Sequence, residues 1–350
     1  EPPVLLASLL AELIPEGRPL PRDEAVTLLR RSLGRIQNRV QQAFEAHEFT
    51  GLPAARWLAS LTDTVMVGIR AYTEAVLPPA PGEKPWALVA TGGYGRGVLA
   101  PSSDIDLLFL TDTGMGARGK QSVEFMLYLL WDLGLKVGHA TRSRADCLVD
   151  AKGDATVLTA LLDARFIAGE EAVFKRFAEA FRKIREEWGL RPFLVAKRAE
   201  RHQRHARYGE SPFLVEPHVK EGRGGLRDLQ TLYWLARYAF NVQRMPELVG
   251  PASPGGGLLT AEEARAIRRA WDFFWTVRFH LHIVTGRAEE RLTFDLQPVV
   301  GARMGYTRHG LQDGVERFMK HFFLMVRDVA RFTRILEPAI ERASLGPPAV

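Results

Sequence analysis

Two aspartates, Asp104 and Asp106, lie two residues apart at the start of an apolar run of strand length. Side chains of a β-strand alternate between its faces, so both carboxylates point to the same side. Like charges on one face repel each other unless a cation lies between them. Hard oxygen ligands at this spacing suit Mg²⁺ or Mn²⁺ better than zinc. The pair therefore predicts a divalent metal site on one face of the strand.

A glycine-rich turn at residues 92–96 precedes the two carboxylates. The apolar residues 86–90 run into this turn and predict a buried strand that ends there. Glycines let backbone N–H groups approach a phosphate closely, so we expect Gly92, Gly93 and Gly95 to bind nucleotide phosphates. A phosphate turn beside metal carboxylates predicts nucleotidyl transfer, which attacks the α-phosphate of a nucleoside triphosphate and releases pyrophosphate.

Polar side chains near the turn offer further phosphate contacts. Arg96 could add positive charge at the phosphates, or it could pair with a surface carboxylate. Ser103, like Ser102 before it, could donate to phosphate or cap the turn before the second strand. Glycine turns and Asp-x-Asp pairs are each common alone, so the prediction depends on their combination in a strand–turn–strand context.

The string from Gly92 to Asp106 resembles the signature of the DNA polymerase beta-type nucleotidyltransferase superfamily. The string extended to Leu110 resembles, more narrowly, the N-terminal half of the bifunctional PII uridylyltransferase/uridylyl-removing enzymes. Further segments resemble the same family, and together they cover roughly residues 60–335. These segments are Leu130–His139, Leu161–Gly169, Lys220–Gln230 and Arg291–Gln297.

The resemblance implies transfer of UMP from UTP to a tyrosine of the PII nitrogen-signal protein, with Mg²⁺ or Mn²⁺ as cofactor. The superfamily often has a serine where this chain has Gly93. It also uses a third carboxylate on a neighbouring strand, and we expect Asp163 in this role because a similar Asp-x-Arg string carries it in sister families. His139 competes for that place, and a buried ion pair of Asp163 with Arg165 is the alternative.

A basic, glycine-rich segment, residues 220–225, leads into a predicted helix. Helix N-termini present free N–H groups and therefore attract anions. Together with the resemblance, this places Lys220 and Arg223 near the active site, on the triphosphate or between the domains. Ordinary capping of the helix is the alternative.

Hydrophobic spacing predicts the elements that must position these residues. We expect an α+β protein with a small, polymerase beta-like α/β nucleotidyltransferase domain at residues 78–170. N-terminal helices at 1–77 precede it, and an all-α domain at 171–350 follows. The basic residues between Lys197 and Arg207 are spread around one helix and predict a solvated face, and a phosphate-facing role for one or two of them is the alternative. The helices predicted after the catalytic domain are 171–188, 192–208, 225–240, 260–285 and 314–336.

Composition narrows the classes of protein and partner. At 46% apolar and 25% charged residues the chain is ordinary globular protein, and no apolar run approaches the roughly 18 residues of a membrane span. The single cysteine, Cys147, excludes an intrachain disulfide and fits a reducing cytoplasm. A net charge of +6 suits an anionic substrate or a nucleic acid. The basic run lacks interleaved aromatic residues, which argues against nucleic acid.

The complete family protein is longer, and the resemblance implies that a phosphohydrolase domain and two ligand-sensing domains follow this region. No His-Asp string followed by further helices occurs before Val350, so we expect uridylyl transfer without uridylyl removal or glutamine sensing. Two alternatives remain: transfer to RNA ends or a small molecule, and a non-catalytic regulatory module that binds nucleotides. The intact pair Asp104 and Asp106 argues against the module.

Overall fold

The computed structural model describes residues 2–209, 211, 213–308 and 313–345. The chain divides into two compact units. Unit 1 comprises Glu1–Ala46 and Ala54–Ile184, and unit 2 comprises His47–Pro53 and Arg185–Val350. The predicted division of the chain at residues 77 and 170 stays a prediction.

Amphipathic helices make up most of unit 1. In α2 (Arg22–Glu45), Leu29, Leu33 and Ile36 recur at three- to four-residue spacing and are buried, as the sequence predicts for a helix with one apolar face. The helices of this unit are α1 (Pro2–Leu13), α2 (Arg22–Glu45), α4 (Gly92–Gly95), α5 (Ala117–Asp132), α6 (Arg144–Gly153) and α7 (Ala155–Leu162), and both α3 (Gly51–Val76) and α8 (Glu171–Trp188) cross its boundary.

A four-stranded sheet lies among these helices, with strand order β3-β2-β1-β4. Its strands are β1 (Trp86–Ala90), β2 (Ile105–Thr111), β3 (Val137–Ser143) and β4 (Arg165–Gly169). Strand β1 pairs antiparallel with β2 and β4, while β2 pairs parallel with β3. The expected mixed α/β fold with a small sheet is confirmed. The sequence did not predict β4, whose short run begins with an arginine and shows no alternation of apolar and polar residues.

Unit 2 is helical, as predicted. A capping box begins α11 (Ala261–Thr285): the Thr260 hydroxyl accepts from the Glu263 amide at 3.1 Å, and the Glu263 carboxylate accepts from the Thr260 amide at 2.9 Å. No helix of the described residues, not even the longest, α13 (Gly314–Leu345), combines the length and apolar character needed to cross a membrane. The helices are α9 (Leu190–Tyr208), α10 (Leu226–Phe240), α11 (Ala261–Thr285), α12 (Leu296–Arg303) and α13 (Gly314–Leu345).

The basic residues of α9 do not form a solvated face, and that prediction was wrong. Lys197 and Arg204 are buried. Arg198 donates to Glu337 at 2.6 Å and to Glu341 at 2.7 Å, which ties α9 to α13. Charges spread around a helix indicate a solvated face only when no partner helix supplies carboxylates, and the partners here come from far along the chain.

Candidate active site

The glycine turn and the start of β2 are joined through their backbones. Strands β1 and β2 pair in a register that sets Ala90 opposite Leu107. The next amide, that of Thr91, donates to the Asp106 carbonyl at 3.0 Å. The single-turn helix α4 begins immediately afterwards, so the turn lies beside Asp106 as the sequence predicted.

The Asp106 carboxylate lies between two glycines. A Cβ atom at position 92 would lie 2.8 Å from Asp106 Oδ2, and one at position 138 would lie 2.4 Å from Oδ1. Gly92 also has a φ of +57°, which side chains disfavour. Gly138 is the partner of Asp106 in the β2–β3 register. Sequence reasoning missed Gly138, because its role depends on strand pairing that no local pattern encodes.

Asp104 directly precedes β2 and is exposed, while Asp106 is half-buried. Among the described residues, no three His, Cys, Asp or Glu side chains group together as a metal site. The protein therefore offers a pair of carboxylates. Mg²⁺ commonly binds one or two protein carboxylates and completes its shell with substrate phosphates and water. The donor set thus fits a metal that arrives with a nucleotide.

The glycines of the turn differ in what they offer a phosphate. The first amides of a helix have no intrahelical acceptor, and those of Gly92 and Gly93 donate to no protein group within the described residues. The Gly95 amide, in contrast, donates to the Thr91 carbonyl at 2.8 Å. A Cβ at position 95 would lie 2.2 Å from the Asp163 carbonyl oxygen. The expectation for Gly95 is corrected accordingly: it allows close packing inside the protein, and its amide is already used.

Asp163 forms an ion pair with Arg96. The Asp163 side chain is 0% exposed and that of Arg96 is 12% exposed, so this is a buried pair. Asp163 follows the end of α7 and precedes β4, and it joins no three-residue metal group. This geometry does not support Asp163 as a third catalytic carboxylate. It also gives Arg96 a carboxylate partner, which was one of the two alternatives for that residue. The expected partner was at the surface, whereas the Asp163 carboxylate is buried. A phosphate contact by Arg96 stays a prediction.

The alternative ion pair between Asp163 and Arg165 was wrong. Arg165 donates instead to both carboxylate oxygens of Asp63, at 2.7 and 3.0 Å. It also donates to the carbonyls of Tyr94 at 3.1 Å and Gly95 at 3.2 Å. Arg165 therefore fixes the C-terminal end of α4 and, through it, the position of the glycine turn. The sequence shows the arginine but not which carboxylate it meets.

Two other candidates have structural contacts. The Ser103 hydroxyl accepts from the Ala100 amide at 3.1 Å, so it caps the turn before β2, which was one of its two expected roles. His139 is the register partner of Leu107 and therefore lies on the face opposite Asp106. Its ring lies 6.0 Å from that of Trp131. His139 is thus not placed to replace a third carboxylate.

In unit 2, the expected anion site at the start of α10 already holds a carboxylate of the chain. Asp228 accepts from the Gly224 amide at 2.7 Å and from Arg204 at 2.6 Å. Arg227 donates to Glu221 at 2.9 Å. These contacts favour the alternative of ordinary capping. Nucleotide binding by Arg223, which is exposed, stays a prediction.

Lys220 has an unusual environment. Burial lowers the pKa of its ammonium group to about 8, and the positive charges of Arg278 and Arg227 act in the same direction. Its Nζ lies 4.0 Å from a carboxylate oxygen of Glu221. A contact of Lys220 with the triphosphate stays a prediction, but this lysine gives up its proton at a lower pH than an ordinary lysine does.

Comparisons with known proteins agree with this arrangement. Residues 83–162 match the nucleotidyltransferase domain family, and residues 192–337 match the family described as GlnD PII-uridylyltransferase. The chain is 49% identical over 328 residues to the bifunctional uridylyltransferase/uridylyl-removing enzyme of Gluconobacter oxydans, which is 91% of this chain and 34% of that protein. It is 45% identical to the Azospirillum brasilense enzyme of the same name, over 93% of this chain and 35% of that protein.

The chain thus spans about a third of the length of these relatives. A third relative with that name, from Rhodopseudomonas palustris, is 51% identical over 73% of this chain and 27% of its own length. The two family matches cover both the glycine turn with its carboxylates and most of the helical unit. The chain therefore belongs to the PII-uridylyltransferase family and carries its nucleotidyltransferase domain.

Proposed function

We propose that the chain moves UMP from UTP to a tyrosine of the PII signal protein and releases pyrophosphate. The observation that carries this proposal is the Asp106 carboxylate, which lies between Gly92 and Gly138 beside the open amides of the turn. The names of the family and of its relatives support uridylyl transfer and the PII acceptor. The cytoplasm, where UTP is available, is the compartment we propose.

Asp104 and Asp106 would hold Mg²⁺ or Mn²⁺. When bound, the ion neutralises charge on the α-phosphate and on the leaving pyrophosphate. The amides of Gly92 and Gly93 donate to the phosphate oxygens, and the missing side chain at position 93 leaves room for the triphosphate. The tyrosine oxygen then bonds to the α-phosphorus as the bond to pyrophosphate breaks, and the phenol proton passes to water. Positioning and charge neutralisation carry most of the catalysis in such transfers.

One experiment tests the proposal. The chain is incubated with UTP labelled at the α-phosphate, Mg²⁺ and the PII protein. The label is traced on the protein, and the unlabelled pyrophosphate that is released is measured in a separate assay. We expect label on a PII tyrosine, lost with EDTA and in Asp106→Asn. Label on RNA or a small molecule instead would support the second kind of transferase. UTP binding without pyrophosphate release would support a regulatory module.

A further inference from the structure

We infer that the outer edge of β3 is where the protein acceptor docks, by adding an extended segment as a fifth strand that directs its tyrosine toward Asp106. This inference rests on the proposed function, since it assigns a binding site to the acceptor of that reaction. It follows from the hydrogen-bonding pattern of β3, from the two faces of the sheet beside it, and from the distance that the tyrosine must span.

The backbone of β3 has open hydrogen-bonding groups on its outer side. The Ile105 amide donates to the Lys136 carbonyl at 2.9 Å, and Ile105 is paired with Val137. Groups of a parallel strand point alternately to its two sides, so Val137, His139 and Thr141 direct their N–H and C=O groups away from β2. Within the described residues, no hydrogen bond satisfies these groups. The outer edge can therefore pair with another strand over this stretch.

Proteins usually protect such edges with lysine, proline or a bulge. The seven residues of β3 include neither lysine nor proline, and its pairing with β2 is regular. Its one charged side chain, Arg142, is paired with Asp150 at 2.8 Å. An unprotected edge beside a catalytic strand is expected where the protein must bind an extended chain, because such binding needs the same open groups.

The two faces beside the edge suit alternate side chains of an added strand. A residue opposite Gly138 lies on the Asp106 face, with no side chain of β3 between them. Its neighbours in the added strand lie on the other face, beside His139. There the rings of Trp131 and Tyr128 are 46% and 49% exposed and contact each other edge to face. A tyrosine flanked by apolar residues therefore fits both faces at once.

A tyrosine on the added strand can also reach the site beside Asp106. Neighbouring strands lie about 4.8 Å apart, so a fifth strand would lie about 10 Å from β2. The tyrosine side chain and the α-phosphate near the carboxylates together span this gap. Gly138 is then required twice, once for the room that the Asp106 carboxylate occupies and once for the path of the acceptor side chain.

The test uses a proline on the outer edge. Thr141 is exposed and its amide points outward, so Thr141→Pro removes no bond to β2 and is tolerated as prolines on edge strands are. We expect the KM for the PII protein to rise about tenfold, as for the loss of one or two hydrogen bonds, while the KM for UTP is unchanged. Thr141→Val keeps the amide and should retain the wild-type KM.

A second variant avoids any change in the backbone. Trp131→Lys removes the exposed ring that the flanking apolar residue would contact, and Val4→Lys replaces an exposed apolar residue of α1 as its control. We expect a raised acceptor KM only for Trp131→Lys. If both folded variants, Thr141→Pro and Trp131→Lys, keep the wild-type acceptor KM, the edge is not the docking site.

Hydrogen exchange separates the remaining outcomes. The acceptor should slow exchange of the outward amides of Val137, His139 and Thr141. Protection that appears without acceptor and grows with the concentration of the chain would show a second copy on the edge and would overturn the inference. If the wild-type chain labels no protein, the proposed function fails and the inference with it. If wild type and variants label PII equally well, the docking site alone is wrong.

Discussion

Gly138 of β3 lies directly opposite Asp106 of β2, and the missing side chain leaves the room that the Asp106 carboxylate occupies. Gly138→Ala would place a Cβ 2.4 Å from Oδ1, so the carboxylate must turn away. We expect transfer to fall by about a hundredfold or more, since a displaced metal ligand costs several kcal/mol. Turnover and the melting temperature are measured together. Gly153→Ala, where a Cβ meets no atom within 4 Å, is the control.

Asp104 and Asp106 should serve catalysis and not folding. Asp104→Asn or Asp106→Asn should abolish measurable transfer while the circular dichroism spectrum stays that of the wild type. Loss of like-charge repulsion should leave the melting temperature of the metal-free chain unchanged or raise it. Asp23→Asn in α2 is a matched control with an exposed carboxylate. Near-wild-type activity in both site variants would remove this pair from the mechanism.

Gly93 separates phosphate binding from folding. A Cβ at this position would meet only Arg96 Nη2 at 3.7 Å and the Val98 carbonyl at 3.8 Å, which are ordinary contacts. We expect Gly93→Ala to fold normally and to bind UTP more weakly, because the methyl group intrudes where the triphosphate approaches. Calorimetric titration with UTP and Mg²⁺ measures the affinity. Unchanged affinity would exclude this turn as the phosphate site. Gly95→Ala, with its Cβ 2.2 Å from the Asp163 carbonyl, should instead lower stability.

Lys220 should make stability depend on pH in a defined window. Its pKa in the folded chain is about 8, against an ordinary value of 10.5. Between these values the unfolded chain binds a proton that the folded chain does not, so the free energy of unfolding rises with pH there. Below pH 8 the folded and the unfolded chain both carry the proton, so the full cost of burying the charged ammonium group lowers the free energy of unfolding. Lys220→Met removes this contribution.

Denaturant unfolding of wild type and Lys220→Met across pH 7 to 10 tests this sign. We expect the wild type to gain stability relative to the variant as the pH rises above about 8, the folded-state pKa of Lys220. A difference between the two proteins that stays constant over this range would show that Lys220 keeps an ordinary pKa in the folded chain.

The parts of the site that the sequence predicted are those encoded over a short stretch. The turn and the two aspartates fall within residues 92–106. The preference of glycine for tight turns and the alternation of side chains along a strand are enough to predict them. The missed partnerships join distant residues: Arg96 and Asp163 are 67 positions apart, and Arg165 and Asp63 are 102 apart. Gly138 meets Asp106 only through strand register. For α9, the helix was predictable from spacing, but the Glu337 that pairs with its arginines was not.

The buried ion pair between Asp163 and Arg96 should contribute to the stability of the fold. Asp163→Asn leaves the Arg96 charge without its carboxylate in a site where that side chain is only 12% exposed. Breaking a buried pair costs about 3–5 kcal/mol, so the melting temperature should fall clearly. Turnover at saturating substrates, per folded molecule, should stay near that of the wild type. Arg96→Met should be destabilised too, and the double variant should lose less stability than the two single losses added together.

A different result would restore Asp163 to the chemistry. The tyrosine hydroxyl has an ordinary pKa of about 10, so a carboxylate that helps remove its proton should matter most at low pH. Asp163→Asn would then keep its melting temperature and show slow turnover that recovers as the pH rises. Melting temperature and a pH–rate profile measured on one preparation of Asp163→Asn distinguish the two roles. Because Asp163 also touches the turn through its carbonyl beside Gly95, Asp163→Glu serves as the control that keeps the charge.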